Sequence, residues 1–179
     1  MADQKRFLVL SALGTDRPGI VAEVTAFLDE RGANVEDSRM AVLGGEFALM
    51  MLVSGTAAVM TAVEQSIAQL EERAGLHVHL RPTRAPYQHR ASGSVPYVVS
   101  AYAMDHEGII HAIASALSQL GANIVSLETA TYPAPVSGTP LFRLEMRLDV
   151  PHQVPVSRLR EALERVADAE NADVDLRPE

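Results

Sequence analysis

The chain carries Asp16-Arg17-Pro18-Gly19-Ile20-Val21 and, shortly after it, Gly32-Ala33-Asn34-Val35. Both stretches return 89 residues later (positions 16 to 105 and 32 to 121), as Asp105-His106-Glu107-Gly108-Ile109-Ile110 and Gly121-Ala122-Asn123-Ile124. Self-similarity at a fixed offset indicates that a whole folding unit is repeated. The 179 residues therefore predict two copies of one unit, each long enough to close a small core of its own.

Each copy alternates the apolar patterns of strands and amphipathic helices. In the first copy the expected strands and helices follow the order strand, helix, strand, strand, helix, strand, over residues 7–13, 16–31, 35–43, 47–53, 57–74 and 76–80. The second copy repeats this order over residues 97–104, 107–120, 124–132, 141–150, 156–169 and 172–177. Gly44-Gly45 predicts a tight hairpin between the two middle strands of the first copy.

A βαββαβ unit with right-handed crossovers closes into a ferredoxin-like α+β sandwich. We expect two such domains, each a four-stranded antiparallel sheet of order 4-1-3-2 with two helices on one face. The predicted boundaries are a first domain over 1–82, a polar, basic linker over 83–95 and a second domain over 96–179. Strand 141–150 alternates apolar and charged residues, which predicts a wet outer face. The same face of strand 47–53 is apolar, which leaves open a cover by the linker or by another subunit.

Composition narrows the function classes. The absence of cysteine excludes disulfides and thiolate metal sites. The net charge of -8, with few aromatic residues, argues against binding a phosphate backbone or stacked RNA bases. No stretch looks like a signal peptide or a membrane span, so we expect a cytoplasmic protein. We also expect no cofactor.

The loop after the first strand is the leading candidate for a binding site. Asp16 is predicted to cap the following helix, with Pro18 in its first turn and Gly19 allowing close approach. Backbone N–H groups near residues 17–21 would then face a carboxylate above the helix. We expect Asn34 to bring its amide to the same neighbourhood. The alternative is purely structural: the Asp residues as helix caps, Gly32 and its repeat as C-terminal glycines, and the Asn residues as turn formers.

The repeated motifs closely resemble the ACT domain, a βαββαβ regulatory module that binds amino acids. Two such domains cover nearly the whole chain, an arrangement similar to the glycine cleavage system transcriptional repressor family. The resemblance implies a non-enzymatic protein that binds a small amino acid, glycine or serine being favoured, usually at an interface between two ACT domains. It also implies a homo-oligomer and a protein partner such as a transcription factor, with no direct contact to nucleic acid or membrane.

The same resemblance assigns ligand-binding residues by position. They are the loop and strand-start residues of both copies: Asp16, Arg17, Pro18, Gly19, Ile20, Asn34, Val35, Asp105, His106, Gly108, Ile109, Asn123 and Ile124. The second copy departs from the motif, because His106 and Glu107 replace Arg17 and Pro18. A further carboxylate would disfavour an anionic ligand, so the two sites are expected to differ.

Other chemistries have weaker signals. His77 and His79 share one face of an edge strand, yet no third metal ligand is evident in the sequence. The Asp-Arg-Pro-Gly signature also opens formyltetrahydrofolate deformylases, whose catalytic domain is missing here. An acylphosphatase-like site would need Arg17 and Asn34 at a phosphate loop and would ignore the repeat. The remaining alternative is an interaction module whose ligand sites are vestigial.

Overall fold

The computed structural model describes residues 5–85 and 93–179. The chain divides into two units, Met1–His89 and Arg90–Glu179, called here module 1 and module 2. The predicted linker 83–95 lies mostly outside the described residues, since 86–92 are not among them. Thr83 belongs to the last strand of module 1, and Ser94 opens the first strand of module 2.

The two modules have the same order of elements. In module 1 these are β1 Arg6–Thr15, α1 Ile20–Asp29, β2 Asn34–Leu43, β3 Glu46–Gly55, α2 Ala57–Gln65, α3 Ile67–Ala74 and β4 His77–Thr83. In module 2 they are β5 Ser94–Met104, α4 Ile109–Gln119, β6 Asn123–Pro133, β7 Pro140–Pro151, α5 Val156–Glu170 and β8 Asp173–Pro178.

Each module has one antiparallel sheet, ordered β2-β3-β1-β4 or β6-β7-β5-β8. This is the predicted 4-1-3-2 order read from the opposite edge, so the α+β ferredoxin-like fold is confirmed. In module 1, alternate residues of β1 and β3, such as Leu10 and Val53, pack against helix residues such as Val24 and Leu70 in one core. Module 2 closes a separate core in the same way.

The predicted start of the first helix in each module is wrong. α1 begins at Ile20 after Gly19, whose φ is 94°, and no side chain caps it. Asp16 is not the cap, because the N-cap position is Gly19. The Asp16 backbone N–H donates to the Gly45 carbonyl at 2.9 Å and extends the sheet. Pro18 accordingly precedes the helix rather than lying in its first turn.

Module 2 repeats this geometry. α4 begins after Gly108, with a φ of 102°, and the Asp105 N–H donates to the Pro140 carbonyl at 3.0 Å. A glycine with positive φ initiates both helices because a side chain is strained in that conformation.

The helix ends follow the prediction. Gly32 adopts a positive φ, its N–H reaches the Asp29 carbonyl, and the Ala33 N–H reaches the Leu28 carbonyl. This pair of bonds is a Schellman motif, in which glycine is favoured at the left-handed position. Gly121 forms the same motif in module 2.

One predicted helix is broken in two. α2 and α3 replace a single helix over 57–74, with Ser66 between them. The Ser66 hydroxyl donates to the Ala62 carbonyl and accepts a bond from Arg31 Nε, each at 2.6 Å. A hydroxyl bonded back to the preceding turn bends a helix, and Arg31 from the end of α1 fixes the bend.

The faces of the two sheets that carry no helix differ as predicted. In module 2, Arg143, Glu145 and Arg147 are exposed on this face of β7. In module 1 the corresponding strand presents Met50, which is 56% exposed. The described residues therefore leave this apolar side chain open to solvent.

Close packing at Gly14 yields a stability prediction. A Cβ at this position of β1 would lie 2.8 Å from the Gly75 carbonyl oxygen and 2.9 Å from Leu76 Cδ2. Because the backbone oxygen cannot rotate away, Gly14→Ala should destabilise module 1 by about 1–3 kcal/mol. Chemical denaturation measures this change, and Ser11→Ala on the same strand is the control expected to stay within about 0.5 kcal/mol. An unchanged midpoint for Gly14→Ala would contradict the packing described.

Candidate ligand-binding loops

Arg17 fastens the loop between β1 and α1 to two helices. Its Nη1 and Nη2 donate to the two carboxylate oxygens of Glu23 on α1, each at 2.7 Å. Nη2 also donates to the carbonyl of Ala74, the last residue of α3, at 3.1 Å. The hydrogen bonds with Glu23 raise the pKa of Arg17 and lower the pKa of Glu23. The guanidinium is therefore already committed to partners within its own module.

The start of α1 offers backbone donors. The first intrahelical bond of α1 runs from the Glu23 N–H to the Gly19 carbonyl at 3.0 Å. Among the described residues, the N–H groups of residues 20–22 have no acceptor in that turn, as at any helix start. Arg17 neutralises Glu23, the acidic residue of this turn. The loop thus presents free donors and the positive end of a helix, which together favour an anionic group.

His106 occupies the Arg17 position in module 2 and contacts the corresponding helix end. Its Nδ1 lies 3.0 Å from the Glu107 carbonyl and its Nε2 lies 3.0 Å from the carbonyl of Glu170, the last residue of α5. These two backbone hydrogen bonds raise the pKa of His106, and the charges of Glu170 and Asp105 raise it further. Both modules therefore place a basic side chain between this loop and the end of their last helix.

A cleft opens beside the loop of module 2. It has a volume of about 590 Å³, which is ample for a small amino acid. Its walls combine acidic and basic side chains with an apolar patch, from Asp105, His106, Glu107, Gly108, Ile109, Ile110, His111, Ala114 and Phe142. Two of these residues, Asp105 and Glu107, are acidic.

The structure does not bring Asn34 to the loop of its own module. Asn34 pairs with Ser54 at one end of β3, whereas Thr15 pairs with Glu46 at the other. These positions are eight residues apart, or about 26 Å at 3.3 Å per residue. Asn123 and Met104 are separated in the same way, opposite Asp149 and Leu141 of β7. The expectation that loop and Asn share one neighbourhood within a module is wrong, because the antiparallel register sends them to opposite ends of the sheet.

Asn34 instead belongs to a polar cluster centred on Glu36. The Glu36 Oε1 atom accepts bonds from Lys5 Nζ at 2.6 Å, Ser54 Oγ at 2.5 Å and Asn34 Nδ2 at 3.0 Å. These bonds lower the pKa of Glu36 to about 2, with the bond from Lys5 contributing most. Ser54 is fully buried, so its hydroxyl depends on this partner.

Sequence reasoning missed the cluster because Glu36 sits at a β-bulge. The register of β2 against β3 shifts between Val35 and Asp37, and this shift aims Glu36 at Ser54. β6 has a bulge at the matching position, but there Val125 replaces the acid. Glu36 and its bond to Ser54 therefore have no counterpart at Val125.

The remaining candidate residues are mostly structural. Ile20 and Ile109 are almost fully buried and belong to the two cores, so they can contact a ligand only through their backbone. Ile124 packs against the core of module 2, and Val35 pairs with Val53.

No metal site emerges from the described residues. His77 and His79 lie opposite Leu13 and Ser11 on the face of β4 that carries no helix. Within residues 5–85 and 93–179, no group of three His, Asp or Glu side chains is placed to hold a metal ion. In the same part of the chain, no helix is long and apolar enough to cross a membrane.

Two βαββαβ modules in tandem, each with a loop held against the end of its last helix, define a tandem ferredoxin-like protein. Residues 6–81 match the family model of the ACT domain. Module 1 is therefore identified as an ACT domain, and module 2 repeats its sheet order.

Relatives of similar length share this organisation. The glycine cleavage system transcriptional repressor of Escherichia coli (strain K12) is 28% identical over 168 residues, which are 94% of this chain and 87% of the relative. A crystal structure of an unknown protein from Galdieria sulphuraria matches with a TM-score of 0.80 and 34% identity, over 98% of this chain and 99% of that one. Another crystal structure, of a protein proposed to be a glycine cleavage system transcriptional repressor, matches with a TM-score of 0.71 and 28% identity, over 97% and 96%.

The Glu36 cluster predicts a stability change in acid. Because the folded pKa of Glu36 is depressed, its contribution is present above the unfolded value of about 4.3 and is lost as the pH falls towards 2. Between pH 5 and pH 2, the melting temperature of wild type, followed by circular dichroism, should therefore fall more than that of Glu36→Gln.

Glu46→Gln is the matched control for this titration. Glu46 lies at the other end of β3 and forms no ion pair within the described residues, so this variant should follow wild type. A constant difference between wild type and Glu36→Gln from pH 5 to pH 2 would contradict the role given to Glu36.

Proposed function

We propose that this ACT-domain protein is a non-enzymatic sensor of a small amino acid, with glycine or serine favoured. The observation that carries the proposal is the start of α1, where free backbone N–H groups follow Gly19 beside a neutralised Glu23. This arrangement suits the carboxylate of an amino acid. The binding residues proposed in module 1 are Asp16, Arg17, Pro18, Gly19, Ile20, Asn34 and Val35.

A second copy of the chain would complete the site. The loop and Asn34 of one module stand about a strand length apart, far more than the length of a glycine or serine molecule. A ligand held by both must therefore meet the loop of one copy and the Asn34 amide of another. Binding would then stabilise one association state over others, which is how a ligand shifts an equilibrium.

We extend the proposal to a protein partner in the cytoplasm, such as a transcription factor. Support comes from the relative in Escherichia coli, which is named as a transcriptional repressor of the glycine cleavage system. The ligand-dependent change of association is the signal that such a partner would read.

Module 2 has a corresponding proposed site. Its loop contributes Asp105, His106, Gly108 and Ile109, and the start of β6 contributes Asn123 and Ile124. The carboxylates of Asp105 and Glu107 line this cleft and would repel the carboxylate of an amino acid. We therefore assign the tighter binding to module 1.

An interaction module with vestigial ligand sites is the second candidate. One observation favours it: Arg17 and His106, the basic residues of the two loops, already bond to their own modules. In this case the protein would contact its partner without any ligand.

Titration calorimetry with glycine, serine and other amino acids at millimolar concentrations separates the two candidates. The sensor predicts heat of binding that Gly19→Ala weakens about tenfold or more. Alanine is strained at the φ of 94° and would displace the N–H donors that follow, and the loss of one charge-assisted hydrogen bond costs about 1.5–3 kcal/mol. Gly44→Ala is the matched control, because Gly44 also has a positive φ with open space around it but lies in the β2–β3 hairpin. Asn34→Ala should lose the heat as well.

No heat and no thermal shift with any amino acid would rule out the sensor and leave the interaction module. Equal affinities for Gly19→Ala and Gly44→Ala would show that the ligand binds elsewhere.

A further inference from the structure

The position shared by Arg17 and His106 carries an inference independent of any ligand. The two residues stand 89 positions apart and therefore correspond in the repeat. Arg17 bonds to the carbonyl of Ala74 at the end of α3, and His106 to the carbonyl of Glu170 at the end of α5. A cation at a helix C-terminus is favoured by the unpaired carbonyls and by the helix dipole. Both contacts thus hold the loop after the first strand against the last helix.

The two cations differ in how they keep their charge. Arginine remains protonated at any physiological pH, so the contact of Arg17 persists. The ring of His106 faces two carbonyl acceptors, one at each nitrogen. Neutral imidazole has a single N–H and leaves one of them unpaired, whereas imidazolium donates to both.

The charged groups around His106 act in the same direction. Glu107 and Asp105 flank it on the loop, and the Glu170 carboxylate of α5 lies 3.8 Å from Nδ1. His111 of α4 lines the same cleft, where it lies 3.4 Å from the Ser115 hydroxyl. The carboxylates of Glu170 and Asp105 therefore favour the imidazolium, and His111 is the basic group on the facing helix.

We propose that His106 is a pH-dependent latch that positions the loop of module 2 against α5, whereas Arg17 latches the loop of module 1 at every physiological pH. When the imidazolium loses its proton, one of its two hydrogen bonds to the backbone is lost. The loop over residues 105–108 is then held less firmly, and the cleft beside it changes. The repeat thereby contains one loop whose position responds to pH and one whose position does not.

The sign of the effect follows from the raised pKa of His106. The stabilising contact is complete below the pKa of an unfolded histidine, about 6.5. It is lost as the pH rises through the higher folded value. The latch is therefore closed on the acidic side and open on the alkaline side.

Nuclear magnetic resonance on the full chain tests the latch without any ligand. The imidazole signals of His106 should titrate above the ordinary histidine range. Over the same pH interval, hydrogen-exchange protection of the Asp105 amide, which bonds to the Pro140 carbonyl, should fall about two- to fivefold, the size expected for a cation at an exposed helix end. Protection of the Asp16 amide in module 1, which bonds to the Gly45 carbonyl, should not follow the titration.

Three variants make the test specific. His106→Arg should keep the module 2 loop protected at all pH values, and His106→Gln should leave it unprotected at all of them. His111→Gln, in the same cleft, should retain the wild-type pH dependence. The proposal is overturned if His106 titrates at or below the ordinary value, or if His106→Arg keeps the pH dependence. A failure of amino-acid binding would not affect either result, so the latch and the sensor are tested separately.

Discussion

The antiparallel pairing of β1 with β3 is the constraint on which the rest of each module depends. It places the β1–α1 loop beside the β2–β3 hairpin, where the Asp16 N–H joins the Gly45 carbonyl. The same register sends Asn34 to the far end of β3, opposite Ser54. One module therefore holds the two halves of the proposed site apart. In the proposed function, ligand binding would therefore require associated chains, for a geometric reason.

The attachment of the loop to the last helix is where the two copies diverge. The guanidinium of Arg17 has several donors and bonds at the same time to the Glu23 carboxylate and to the Ala74 carbonyl at the end of α3. His106 has only two ring nitrogens, and both must be protonated to donate to the Glu107 carbonyl and to the Glu170 carbonyl of α5. The same fold thus supports a permanently fixed loop and a titratable one. The Glu36 cluster, which has no acid at the matching position of module 2, shows the same division between the copies.

The repeat and the glycines were sufficient to predict the fold, the sheet order and the Schellman ends at Gly32 and Gly121. Local pattern failed at the helix starts, because an Asp four residues before a helix looks like a cap unless the positive φ of Gly19 is known. It also failed at Ser66, where Arg31, from the turn after α1, fixes a bend between α2 and α3. The cluster at Glu36 depends on a bulge, which leaves no signature in a single sequence. Tertiary contacts decide all three.

Mixing two binding-deficient variants tests the central claim most directly. Gly19→Ala and Asn34→Ala chains, each expected to bind the amino acid about tenfold or more weakly than wild type when alone, are combined so that subunits exchange, and binding at wild-type affinity is measured by calorimetry. If the loop of one copy meets the Asn34 of another in a dimer, each mixed dimer has one intact site, and about a quarter of the wild-type sites return on random exchange. No recovery after demonstrated exchange would contradict a site shared between two copies of the chain.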